Sequence, residues 1–220
     1  MYWKPLLASY SRSGTNWVRY IIEYISGRPT PGGLVLHAEG DPVVDRAHNA
    51  SKVMNRYRKV LLLVRDYREC LLRQNREHWL ETQDVGRFLT SQDVRQPPDW
   101  YIKNLLAFDA HRGEKLLVHY EDLQASPEVE IPRIGTFLEL DPGRTADFLE
   151  NVEERYKESV SAYTGRGHAS ASTAQKDPKH HSKELLAEEH ARLFDRHFET
   201  NHPEIFGKYL SRYRVTDVGL

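Results

Sequence analysis

The chain has 220 residues, enough for one domain over 1–220 with a full hydrophobic core. Hydrophobic residues make up 39% of it and charged residues 29%, and 31 basic side chains nearly balance 32 acidic ones. That balance excludes a general binder of nucleic acid or of a membrane surface, which needs a net basic face, but leaves room for a local basic pocket holding one anionic ligand.

The single cysteine, Cys70, forbids an intrachain disulfide and points to a reducing compartment. Its setting, Cys70-Leu71-Leu72, predicts a small buried core residue. No run approaches the ~20 apolar residues of a membrane span. The apolar stretch near the N-terminus is too short for a signal peptide, so the expected location is cytoplasmic.

Residues 5–10 predict a short buried strand, and Tyr10-Ser11-Arg12-Ser13-Gly14 a turn. A helix follows from Thr15, with Trp17, Val18, Ile21, Ile22 and Ile25 on one face and Gly27 as its stop. Residues 28–58 are rich in Gly and Pro and predict loops with short elements. The unbroken run Lys59-Val60-Leu61-Leu62-Leu63-Val64-Arg65 suits a strand buried on both faces of a parallel sheet. Asp66 is the expected N-cap of a helix reaching about Leu80, with Arg68 and Arg76 on its solvated face. Further helices are expected from Pro97-Pro98 to about His111, near 126–139 and 142–158, and at about 183–199. Asp122 or Ser126 is the expected cap of the first after the strand at 115–120. Residues 164–182 have almost no large apolar side chain and predict a mobile loop. Strands alternating with helices predict an α/β fold, a three-layer sandwich around a mainly parallel sheet.

The richest segment is Ser9-Tyr10-Ser11-Arg12-Ser13-Gly14-Thr15-Asn16-Trp17, a strand–turn–helix junction. Backbone N–H groups at a helix N-terminus converge on anions, and the helix dipole favours negative charge. Gly14 permits close approach, Arg12 adds a cation, and Ser13, Thr15 and Asn16 add donors. The segment lacks the first glycine and the lysine of the nucleotide triphosphatase loop. The plainer reading is a turn capped by Ser13 or Thr15.

This string resembles the 5′-phosphosulfate loop of sulfotransferases that use 3′-phosphoadenosine 5′-phosphosulfate (PAPS). The resemblance implies a fold related to the P-loop nucleoside triphosphate hydrolases. It assigns Arg12 to the leaving bridging oxygen, Ser13, Gly14, Thr15 and Asn16 to the 5′-phosphate, and Trp17 to the adenine; Trp17 is also a natural core residue. Ser11 replaces the family's usual proline. Leu63-Val64-Arg65-Asp66, 53 positions on from Arg12 to Arg65, resembles the second signature, whose arginine grips the 3′-phosphate. Tyr67 stands where proline is common, and Arg73 where a serine is usual.

Transfer needs a base near neutral pKa. Arg46-Ala47-His48 is similar to the family's Lys-Thr-His segment, making His48 the base and Arg46 a contact of the sulfuryl oxygens; His37, in Leu36-His37-Ala38, is the rival. Val118-His119-Tyr120-Glu121-Asp122-Leu123 resembles the family's Tyr-Glu-Asp-Leu strand end, which sets Tyr120 beside the adenine. Arg166 and Lys176 are candidates for a basic loop to the 3′-phosphate, and His180-His181-Ser182 could join the site. The implied activity is sulfuryl transfer to a hydroxyl or amine of a small or medium-sized acceptor, with no metal. A kinase-like phosphotransferase and a non-catalytic nucleotide-binding module are the alternatives. A zinc reading of His190, His197 and His202 has no supporting spacing, which sets these histidines on the polar faces of the last helices.

Overall fold

The computed structural model describes residues 2–33, 36–37, 39–164 and 186–215. Arg166, Lys176, His180 and His181, and with them the 164–182 loop expectation beyond Thr164, lie outside these residues.

Four strands form one sheet: β1 (Leu6–Ser9), β2 (Asp45–Ala47), β3 (Lys59–Val64) and β4 (Glu114–His119). Their order is β2-β1-β3-β4, and every pairing is parallel. The apolar runs explain this placement. A strand's side chains alternate between faces, so a strand apolar at every position must be covered on both sides. Leu6, Ala8, Val60, Leu62 and Val64 enter one core cluster, while Leu7, Leu61, Leu63 and Val118 enter the other.

Ten helices have these bounds: α1 (Thr15–Ser26), α2 (Tyr67–Gln74), α3 (Arg76–Thr82), α4 (Val85–Thr90), α5 (Asp99–Ala110), α6 (Tyr120–Ala125), α7 (Pro127–Phe137), α8 (Pro142–Glu150), α9 (Val152–Thr164) and α10 (Glu188–Asn201). Helices α2 to α5 and α10 supply the first cluster, and α1 with α6 to α9 the second. The outcome is the expected three-layer α/β sandwich. Among the described residues no helix is long and apolar enough to cross a membrane.

Several local expectations change. The helix expected from Asp66 to Leu80 is two helices, broken at Asn75, whose side chain bonds Tyr10 Oη (3.0 Å) and the Gln96 carbonyl (3.3 Å). That expected near 142–158 likewise breaks, at Asn151. Asp66 does cap α2, accepting from the Arg68 N–H at 3.0 Å. Arg68 is not on a solvated face: it is buried and paired with Asp66 and Asp195, because the C-terminal segment covers that side of α2. Ser126 occupies the cap position of α7 without a side-chain cap, and Asp122 pairs with Arg212 instead. His190, His197 and His202 are half-buried rather than on a polar face, and the His190 ring lies 5.3 Å from that of Trp79.

Candidate active site

In a parallel sheet every strand points its C-terminal end the same way, and ligands gather at that edge. The register aligns the four ends here: Ala8 beside Ala47, Ser9 beside Leu63, Val64 beside His119. The residues that follow are His48 after β2, the 10–14 turn after β1, Arg65 after β3 and Tyr120 after β4. In sheet order they form one row.

The turn after β1 is shaped by two left-handed residues, Arg12 at φ 68° and Gly14 at φ 90°. For arginine that conformation is strained by ~1–3 kcal/mol, an expense typical of functional turns. Gly14 has a second reason to be glycine. A Cβ there would lie 2.2 Å from Cδ2 of Tyr120, so the Tyr120 ring packs on the bare backbone. Gly14 is the N-cap of α1, which has neither a side-chain cap nor an acidic residue in its first turn. Neither Ser13 nor Thr15 caps the helix. Their hydroxyls make internal contacts, Ser13 Oγ with Cys70 Sγ (3.4 Å) and Thr15 Oγ1 with Ser9 Oγ (2.7 Å). Cys70 is the buried core thiol expected, and burial pushes its pKa up to about 12.

Arg65 leaves the end of β3 and reaches the turn. Its Nη1 donates to the Arg12 carbonyl at 3.3 Å, and its guanidinium lies 4.6 Å from the centre of the Tyr120 ring. Tyr120 therefore sits between Gly14 and Arg65. Glu69, buried one turn along α2, pairs with Arg65 (3.4 Å) and with Arg73 (3.2 Å). The basicity of Arg12 is lowered by burial and then by the charge of Arg73. No ion pair among the described residues engages Arg12. Three guanidiniums thus gather with a single carboxylate between two of them, an arrangement that fits a polyanion.

On the other flank, Nδ1 of His48 lies 3.1 Å from the Ser9 carbonyl and 3.3 Å from Ser9 Oγ. A carbonyl only accepts, so Nδ1 carries the proton and Nε2 keeps its lone pair. The His48 pKa is lowered, mainly by burial, and further by the charges of Arg46 and Arg19, while the Ser9 bond opposes them. Arg46 pairs in register with Leu7 on the α1 side of the sheet, and its guanidinium rests on Gly32. His37 is half-buried and its N–H is 3.4 Å from the Glu23 carboxylate. Trp17 is buried, 5.1 Å from the Tyr156 ring and 5.7 Å from that of Phe148, with its Nε1 lacking a partner among the described residues. Asn16 lies in the first turn of α1 and is half-buried.

Sequence reasoning missed the residues that hold this row. Asn104 of α5, fully buried, donates to the His48 carbonyl (2.8 Å) and accepts from the Ser51 N–H (3.0 Å). Gln96 bonds the Ser11 hydroxyl, and its carbonyl accepts from Tyr10 Oη at 2.8 Å. Nothing in the local sequence marks either. Glu69 was findable, since Arg65, Glu69 and Arg73 are spaced for one helical face. His197 and His202 line a separate cleft of about 440 Å³ with Leu89, Pro98, Asp99 and Ile102, and none of the predicted site residues borders it. Among the described residues no group of three or more His, Cys, Asp or Glu side chains gathers as a metal site would require.

No protein-family model matches the sequence, and no curated protein matches it. Solved structures do match. Mouse sulfotransferase SULT7A1 complexed with PAP is similar with a TM-score of 0.65, over 96% of this chain and 87% of that one, at 15% identity. At that identity the likeness is one of fold: this chain has the P-loop-like α/β fold of a sulfotransferase, with an all-parallel sheet flanked by helices.

Proposed function

We propose that this chain is a sulfotransferase that moves a sulfuryl group from PAPS to a hydroxyl, or an amine, of a small or medium-sized acceptor. One observation carries the reading. Two cationic stations far apart in sequence, the Arg12 turn and Arg65, meet across a 3.3 Å hydrogen bond at one sheet edge, with a base candidate on the same row. The SULT7A1 neighbour, complexed with PAP (adenosine 3′,5′-bisphosphate), supports the choice of donor.

In this reading the uncapped N-terminus of α1 and the Arg12 turn bind the 5′-phosphate side through Ser13, Gly14, Thr15 and Asn16. Arg65 and Arg73 bind the 3′-phosphate, and Tyr120 and Trp17 border the adenine. His48 takes the acceptor proton on Nε2 as the acceptor's oxygen–sulfur bond forms. Arg12 meets the charge that develops on the phosphate oxygen as its bond to sulfur breaks, and Arg46 steadies the sulfuryl oxygens. These side chains supply positioning and charge, as in phosphoryl transfer.

Calorimetry with PAP, adenosine 5′-monophosphate and ATP tests the donor, and radiolabelled PAPS with an acceptor screen tests the reaction. PAP is expected to bind at least ~10-fold more tightly than the monophosphate, the scale of one added charge-assisted contact. His48→Ala is expected to lose transfer by ~10²–10⁴-fold while keeping PAP affinity. ATP binding without PAP binding would turn the reading towards a kinase; PAP binding without turnover on any acceptor would leave a nucleotide-binding module.

A further inference from the structure

Helix α1 carries a fully buried charged pair beside its apolar face. Arg19 and Glu23 are both 0% exposed, 3.7 Å apart and one turn from each other. Burying two charges is costly unless their remaining donors and acceptors are met. Here they are met by one segment of chain. Arg19 donates to Thr30 Oγ1 (2.8 Å) and to the carbonyls of Gly32 (3.2 Å) and Gly33 (2.6 Å). Glu23 accepts from the N–H groups of Thr30 (3.1 Å), Leu36 (2.7 Å) and His37 (3.4 Å), and from the Thr30 hydroxyl. A stretch that leaves α1 through Gly, Pro and Thr residues is thereby held to the helix by main-chain bonds at both of its described ends.

What this segment touches gives the pair its meaning. Gly32, at φ 105°, presents bare backbone to Arg46; a Cβ there would lie 2.6 Å from Arg46 Nη2 and 2.8 Å from Cζ. Arg46 is two residues from His48, and both its charge and that of Arg19 lower the proton affinity of that imidazole. The contacts run from α1, through residues 30–33, to Arg46, which stands two residues before His48.

We propose that Arg19 and Glu23 are positioning residues for the transfer reaction. They fix residues 30–33 as a wall against Arg46 and so set where the Arg46 guanidinium stands relative to the base. The inference rests on the assignment of His48 as base under the proposed function. It goes beyond that assignment in locating the acceptor-side scaffold inside the same helix whose N-terminus forms the phosphate turn. A single rigid element would then register donor and acceptor halves, which in-line transfer demands because small misplacements cost rate steeply.

The test uses the full chain with two variants and a readout independent of turnover. Gly32→Ala leaves Arg19 and Glu23 intact but puts a methyl where the Arg46 guanidinium lies. Glu23→Gln removes the carboxylate that gathers the segment. The His48 imidazole meets the Ser9 carbonyl and hydroxyl from β1 and feels the charges of Arg46 beside it and of Arg19 from α1, while the uncharged Asn104 of α5 holds its main-chain carbonyl. Moving Arg46 away weakens one of the two repulsions, so the NMR titration midpoint of His48 is expected to rise by roughly half a pH unit in Gly32→Ala, the scale of one charge at protein-surface dielectric. Sulfuryl transfer is expected to fall by ~10-fold or more in both variants, with the PAP dissociation constant within ~2-fold of wild type. A purely structural pair would lower the melting temperature of Glu23→Gln and leave the Gly32→Ala titration and rate at wild type; that result overturns the proposal. Should Glu23→Gln not fold, Gly32→Ala decides alone. A wild-type chain that binds no PAP sinks the proposed function instead, and the His48 titration still reports on the positioning contact.

Discussion

Arg65 and Arg68 lie three residues apart at the end of β3, in opposite surroundings. Arg68 is enclosed by two carboxylates, Asp66 and Asp195, and by the Tyr213 carbonyl, so its charge is fully answered from within. Around it Tyr67 Oη bonds Asp195, Tyr213 Oη donates to Glu121 (2.7 Å) and the Asp66 N–H donates to Glu121 (3.0 Å). Arg65 shares one carboxylate, Glu69, with Arg73, and leans on a ring face and a carbonyl. Arg12 nearby adds a third guanidinium whose proton affinity the second already lowers. The contrast teaches that burial alone does not distinguish an arginine whose charge is answered from within from one proposed to bind a ligand; the local balance of charge does. Where cations outnumber their carboxylates at a sheet edge, the field favours an anion, as the proposed function requires.

The comparison can be broken most easily at Arg68. Arg68→Ala leaves Asp66 and Asp195 facing each other without their cation and is expected to lower unfolding stability by ~3–5 kcal/mol, read by urea denaturation, while the folded fraction binds PAP within ~2-fold of wild type. A loss below ~1 kcal/mol would mean that the network is ornamental. Arg65→Ala reverses the pattern. PAP affinity is expected to fall by ~10–100-fold, more than the affinity for adenosine 5′-monophosphate, with stability changed by less than ~1 kcal/mol. Equal losses for the two nucleotides would remove Arg65 from the 3′-phosphate.

Gly14→Ala sharpens the contrast from the turn side. It sets a methyl into the Tyr120 ring and strains a left-handed residue, so a loss of ~1–3 kcal/mol together with weakened PAP binding is expected. Unchanged binding would detach Tyr120 from the nucleotide. The smallest effect is in pH. Under the proposed function neutral His48 is the base, and burial with the Arg46 and Arg19 charges favours the neutral form. Transfer should therefore persist as pH falls past the ordinary histidine value of ~6.5, and its acid limb should lie below that value. An acid limb at or above it would point to a different base.

The legible part of the site was the part made of contiguous chain. The turn at 10–14, the long aliphatic strand ending in Arg65, and the strand ending before Tyr120 each announce themselves by an apolar run followed by polar residues, because a strand buried on both faces must be apolar until it leaves the sheet. The Arg46-Ala47-His48 segment was visible only through a motif. Its own strand is three residues long and is held in place by pairing with β1, which no local pattern encodes. Arg68 was misplaced for the same reason, since helical spacing shows which face it shares but not that a segment 145 positions away covers that face. Asn104 and Gln96 left no trace, because their bonds join elements across 56 and 85 positions.

The order of residues alone determined the α/β class and the strand–turn–helix that opens the chain. These depend on periodicity and on short-range sterics, which neighbouring residues settle among themselves. Only the tertiary structure decided that the four strand ends stand in the row His48, Arg12, Arg65, Tyr120, and which buried charges are answered and which are in excess. Strand order and charge balance are sums over distant partners, and their energies exist only once the chain has closed on itself.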